Sequence, residues 1–254
     1  MYDFNILTIN TPVVRASMKN DGIALVRGKP EIYYKSFDIT EFIGEQLASI
    51  RGVNSAHYEP ICFGRYKKAL SNIKRDNGII NIKVGSYDFK KDDYQYIGRV
   101  FGYFPEGWNM WLEQCVDDDN RLAFINEHLE MYALDTFMGQ YDRDHNTIYE
   151  VRSSGELHLG PMFDYEGSLR IDSNGKLPDY CTYFHKFSLI DDYHKLMDQY
   201  PQFKDMLKSY YDVDLVKQII CMSEKRGFDL SEFDFEPYKE FDEASHKKLE
   251  LILK

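Results

Sequence analysis

The sequence predicts an α+β domain, and three observations predict it. Short β-prone runs separated by turn signals fill the first 37 residues. Apolar residues recur at helical spacing through most of the chain after residue 120. Within the second stretch stands an alternating hairpin, 147–159, with acidic and amide side chains just ahead of it and an aspartate, Asp164, after it. At 254 residues and 43% hydrophobic content the chain can bury a core as one large domain or as two lobes sharing a cleft.

In chain order, Val13 to Ser17, Gly22 to Arg27 and Glu31 to Ser36 read as strands, broken by Lys19-Asn20-Asp21-Gly22 and Gly28-Lys29-Pro30. The third strand alternates, with Ile32 and Tyr34 on one face and Tyr33 and Lys35 on the other. Asp38 is an N-cap candidate with Glu41 three residues on, which is the pattern of a capping box. Phe42, Ile43, Leu47 and Ile50 then form the apolar face of a helix that also carries Glu45. Ile79 to Val84 is a further β-prone run, ended by Gly85-Ser86-Tyr87-Asp88-Phe89. Trp108 and Trp111 suit packing, and Asp117-Asp118-Asp119 suits a solvated helix entrance. Leu122, Ile125, Leu129, Tyr132 and Ala133 predict a helix to about Phe137 that stops at Gly139. Thr147 to Val151 and Leu157 to Leu159 are the hairpin strands, turning through Arg152-Ser153-Ser154-Gly155. Beyond Ser168, helical spacing recurs at Asp191 to Met197, Phe203 to Tyr211, Leu215 to Lys225 and Ala244 to Leu253.

The formal charge of −11 argues against nucleic acid or an anionic membrane surface as the main partner. The N-terminal MYDFNILTIN has neither a basic leader nor an apolar core, and no apolar run reaches membrane-spanning length. Cys62, Cys115, Cys181 and Cys221 are widely separated and form no C-x-x-C pair, so they read as free thiols in the reducing cytoplasm.

The hairpin brings Asp142 and Asn146, before it, close to Asp164, after it. Hard oxygen ligands of this kind suit magnesium. A carboxylate left off the metal can orient an attacking hydroxyl, which completes a set of parts for phosphoryl transfer. Spacing alone fits an ordinary polar surface loop equally well. A calcium loop is excluded, because the positions that need Gly and Glu hold Thr147 and Ser153.

The segments GQYDRDHNTIYEV and LGPMFDYEGS resemble the catalytic and metal-binding segments of the HipA/CtkA-type serine/threonine kinases. IYYKSFDITEFIGEQLASIRGV resembles the same family's lysine strand and following helix. The match holds at Gly139, Asp142, Arg143 and Asp164. It departs between Asp142 and Asn146, where this chain has three residues and the family has four. The resemblance spans roughly residues 13–170. It implies a two-lobed protein-kinase-like fold, with a small β-rich N-lobe over 1–88 and a larger helical C-lobe over 89–254. It implies ATP and Mg2+ as cofactors and a protein with a serine or threonine acceptor as substrate, this chain itself included. Asp142 is the expected catalytic residue, and Asn146 and Asp164 the expected metal ligands, with Asp144 as rival to Asn146. Lys35 is expected on the ATP phosphates with Glu45 as its partner, and Gly85, Ser86 and Tyr87 at the adenine hinge. A small-molecule or lipid kinase uses the same parts, and a nucleotide-binding pseudokinase acting as an interaction module retains many of them.

Replacing Lys35 with Ala tests the strand assignment. Nucleotide binding or transfer is expected to weaken while the melting temperature holds, because a strand surface accepts alanine. Parent-level activity in that variant would return Lys35 to the solvated surface.

Overall fold

The computed structural model describes residues 7–9, 13–16, 22–24, 32–36, 38–63, 82–87, 95–98, 118–140, 143, 146–170, 190–231 and 233–254. Four strands come first: β1 (Leu7–Ile9), β2 (Val13–Ala16), β3 (Gly22–Ala24) and β4 (Ile32–Ser36). Helix α1 (Ile39–Ile50) follows, then β5 (Tyr58–Phe63), β6 (Ile82–Tyr87) and β7 (Gln95–Gly98). The long helix α2 (Asp118–Met138) leads into the hairpin β8 (Ile148–Val151) and β9 (Leu157–Leu159). Helices α3 (Ile190–Gln199), α4 (Gln202–Tyr211), α5 (Leu215–Arg226) and α6 (Glu236–Leu253) complete the fold.

Six strands form one sheet in the order β1-β5-β6-β4-β3-β2, antiparallel except for the β1–β5 pair. The hairpin forms a second sheet with β7, in the order β7-β8-β9. Strand β6 runs to Tyr87, so it extends three residues past the expected end at Val84. Gly85 and Ser86 are therefore flanked on both sides, by Tyr34 and Tyr33 of β4 and by Glu59 and Tyr58 of β5. Of the three residues expected at the adenine hinge, Tyr87 pairs with Ile32 of β4 and has no β5 partner in the register.

Asp38 caps α1 as expected, its Oδ1 accepting the Thr40 N–H at 2.9 Å. Phe42, Ile43 and Leu47 are buried on α1 and Ile50 is exposed. In α2, Leu122 is 61% exposed, which corrects its place on the expected apolar face; Phe124 is buried in its stead. The final helix begins at Glu236, eight residues earlier than Ala244, and Phe241 joins its buried face.

The helical core is aromatic. Phe137 stacks on Tyr210 at 5.7 Å and Tyr193 on Phe203 at 6.5 Å between ring centres. Ser245 of α6 donates to the Phe137 carbonyl at 2.8 Å, tying α6 to α2. Cys221 is a free thiol; the other three cysteine side chains lie outside the described residues. No helix among the described residues is long and apolar enough to cross a membrane.

His128 of α2 is buried between the Phe124 carbonyl, 2.8 Å from Nδ1, and the Tyr149 hydroxyl, 3.2 Å from Nε2. Burial disfavours the imidazolium and lowers its pKa to about 4. The unfolded chain therefore binds this proton first as pH falls, and stability drops between pH 6.5 and 4. Between pH 7 and pH 5 the loss from this one group is expected to be about 2 kcal/mol. Urea unfolding at the two pH values measures it, and in His128→Gln that part of the pH dependence should vanish.

Candidate functional site

The hairpin, the loop before it and the segment after it meet at Arg143. This side chain is fully buried and binds Asp135 of α2 through two parallel hydrogen bonds of 2.9 Å each. Its Nη1 donates to the Phe163 carbonyl at 2.8 Å and to the Asn146 carbonyl at 3.3 Å. One nitrogen thus holds both ends of the hairpin together, with Asn146 on one side and the neighbour of Asp164 on the other. Burial pushes the Asp135 carboxyl up, and the guanidinium opposes that rise. Removing either partner would leave a buried charge uncompensated, at a cost of about 3–5 kcal/mol.

Asp164 has φ of 60°, in the left-handed region that few non-glycine residues adopt. Its backbone is held on both sides by hydrogen bonds from distant residues. Tyr58 accepts the Asp164 N–H on its hydroxyl at 2.9 Å, and Gln140 Nε2 donates to the Asp164 carbonyl at 2.9 Å. The next N–H, that of Tyr165, goes to Glu41 Oε2 at 3.0 Å. Arg143 takes the preceding carbonyl. With the backbone on both sides bonded into buried groups, strain of order 1–3 kcal/mol is sustained at one residue.

Glu41 lies at the centre of this. It is fully buried on α1, and its carboxylate reaches the segment after Asp164 rather than closing the expected capping box. Burial, then the Glu41 charge, raises the Tyr58 hydroxyl well above its ordinary pKa, so it stays a donor to that carboxylate. The Tyr165 ring packs flat against α1 at Gly44, where a Cβ would stand 2.3 Å from its Cγ. Its hydroxyl bonds Ser55 Oγ at 2.8 Å, and the guanidinium of Arg143 lies 5.5 Å from its ring centre. A short parallel bridge between Ser55 and Met162 fastens the loop after α1 to the same segment. Its bonds are Ala56 N–H to the Met162 carbonyl and Met162 N–H to the Asn54 carbonyl, both 2.8 Å.

Arg143 Nη1 joins the backbone carbonyls of Asn146 and Phe163, so the segments that carry the expected metal ligands Asn146 and Asp164 adjoin. Asp142, Asp144 and His145 lie outside the described residues. Lys35 sits on β4 opposite Val84, and its side chain is likewise outside them. Glu45, the expected partner of Lys35, has three described partners. Its carboxylate bonds Arg226 at 2.6 Å, the Tyr58 N–H at 3.1 Å and His57 at 2.7 Å. The carboxylate and carboxamide of Asp164 and Asn146 are hard oxygen donors, a set that fits magnesium when phosphate and water complete it. Among the described residues no three His, Cys, Asp or Glu side chains gather as a metal cage.

Among the residues that sequence reasoning missed as site residues are Glu41, Gly44, Tyr58, Asp135 and Gln140. For Glu41 the signal was present, an acid beside Phe42 and Ile43 at the start of an apolar face. Tyr58 and Gln140 carry no local signal, since their partners lie 106 and 24 residues away.

Two solved structures share the arrangement of elements. The Helicobacter pylori proinflammatory kinase CtkA superposes with a TM-score of 0.50 at 12% identity, over 98% of this chain and 99% of that one. The HipA of Shewanella oneidensis MR-1, from a toxin–antitoxin complex with HipB and operator DNA, gives a TM-score of 0.53 at 12% identity. The fold is HipA-like. The match to that HipA covers 95% of this chain and 65% of the HipA chain. No family model and no curated protein matches the sequence.

Within this HipA-like fold the contact of Gly44 with Tyr165 sets how closely α1 approaches Asp164. Gly44→Ala is expected to lower stability by about 1–3 kcal/mol through overpacking. Urea unfolding checks it; an unchanged midpoint would show that the Tyr165 ring has room to retreat.

Proposed function

We propose that this chain is an ATP- and magnesium-dependent serine/threonine protein kinase of the HipA-like type, working in the cytoplasm and able to phosphorylate itself. The observation that carries the reading is Asp164, held in a left-handed conformation by Tyr58, Gln140, Arg143 and Glu41 and tied to Asn146 through one guanidinium. A backbone held that firmly at a carboxylate-bearing residue, with the Asn146 segment fastened to the same guanidinium, suits the metal-binding residues of phosphoryl transfer. The HipA-like fold supports the same reading.

In this reading Asp142 accepts the proton of the incoming hydroxyl and orients it. Asn146 and Asp164 would hold magnesium, which supplies charge neutralisation on the phosphate oxygens. Lys35 contacts the phosphates from β4, and Glu41 replaces Glu45 as the helix carboxylate that serves this side of α1. Tyr87 and the residues after it replace Gly85 and Ser86 at the adenine, because sheet pairing already occupies those two. Most of the rate enhancement then comes from positioning and fixed charge. The shortened Asp142–Asn146 spacing favours one rival, a pseudokinase that binds nucleotide and serves as an interaction module.

Labelled ATP with magnesium, followed by mapping of modified residues, separates these readings. Transfer to serine or threonine is the expected result, and ATP binding without transfer to any protein or metabolite would favour the pseudokinase. Asp142→Ala should abolish transfer and keep ATP binding. Asn146→Ala should impair transfer chiefly through magnesium, with Asp144→Ala milder. In calorimetry Asp164→Ala should lose the magnesium dependence of ATP binding; an unchanged dependence would remove Asp164 from the site.

A further inference from the structure

Glu45 belongs to a cluster that the reaction does not use. Arg226, the last residue of α5, donates from Nη2 to Glu45 at 2.6 Å and from Nη1 to the Tyr58 carbonyl. Its guanidinium also lies 5.6 Å from the centre of the Phe42 ring on α1. Glu45 accepts the Tyr58 N–H at 3.1 Å. The two main-chain polar groups of Tyr58 are therefore gripped by the two members of one ion pair.

The side chain of the same residue reaches the other way. Its hydroxyl takes the Asp164 N–H and bonds Glu41. A rigid aromatic residue clamped at its backbone delivers its hydroxyl to one place, so Arg226 stands one residue removed from Asp164. The pair is no loose surface contact, since the side chains of Arg226 and Glu45 are only 20% and 18% exposed. Burial raises the Glu45 carboxyl, and the bonds from His57, Arg226 and Tyr58 outweigh burial and hold it below its ordinary range. The carboxylate is thus charged at neutral pH. Just past Arg226, Gly227 ends α5 in the left-handed conformation at φ of 72°, and Phe228 packs edge-on against Phe42 at 5.0 Å. The end of α5 is seated on α1 by this second contact.

We propose that Arg226 is a positioning residue for Asp164: with Glu45 it clamps the Tyr58 backbone, so that the Tyr58 hydroxyl fixes the left-handed Asp164 from across the fold. The coupling makes the end of α5 part of the site. Its consequence for catalysis rests on the kinase reading, but the coupling itself does not.

Amide hydrogen exchange followed by mass spectrometry tests it without any activity measurement. In Arg226→Ala the amides of Asp164 and Tyr165 should exchange roughly tenfold faster, as expected on weakening one charge-assisted hydrogen bond. Exchange in α6 should stay at the parent level. Arg226→Lys, which keeps the charge and one of the two bonds, should fall between, and it carries the test should the alanine variant fail to fold. Parent-level exchange at Asp164 and Tyr165, with faster exchange confined to His57 and Tyr58, would overturn the proposal. So would an equal rise in α6, which would mean general destabilisation. Magnesium-linked ATP affinity on the same samples keeps the two ideas apart. Faster exchange in a chain whose parent binds no ATP would leave the clamp standing and remove the kinase reading.

Discussion

The buried pair of Arg143 and Asp135 is the interaction on which the candidate site depends. A guanidinium without water needs its charge compensated and its donors satisfied. Asp135 supplies the charge from α2, and the carbonyls of Asn146 and Phe163 absorb Nη1. Because those carbonyls belong to the two ends of the hairpin, satisfying the arginine also closes the hairpin's base. Leu169, at φ of 59°, marks where the chain leaves this arrangement, its N–H held by the Met138 carbonyl at 2.8 Å at the end of α2.

Around that hub, α1 works as a second support. It contributes a carboxylate, Glu41, and a gap, Gly44, to the same residue, Tyr165. The loop after it contributes Ser55 and Tyr58. Segments distant in the sequence are thereby joined by short polar bonds between buried groups. In low dielectric such bonds are costly to break and leave few alternative arrangements. This is why one carboxylate, Asp164, can be held in a conformation its own backbone disfavours.

Much of the fold was legible. Turn signals and alternation located β2, β3 and β4 within a few residues, and helical spacing located α1 and the helices from α2 to α5. Errors fell at boundaries, as with β6 and α6, where local signals fade and pairing or packing decides the end. Strand β7 had no signal of its own; it exists because β8 offers it an edge. Of the candidate site, the approach of the two hairpin ends was legible because a hairpin must return them to one place. The supporting residues were not, because their partners lie far away in the chain.

The local elements, the Asp38 cap and the polar residues at the base of the hairpin are written in the sequence, since each follows from neighbours within a turn or two. Which glutamate of α1 reaches the segment after Asp164 was decided by tertiary packing. Glu41 and Glu45 are one helical turn apart, so periodicity treats them alike. The choice comes from their neighbours in space. Gly44 lets the Tyr165 ring against the helix and presents its N–H to Glu41, while Arg226 and His57 draw Glu45 toward α5. Helical spacing records which residues share a face, and it carries no information about which partner that face will meet.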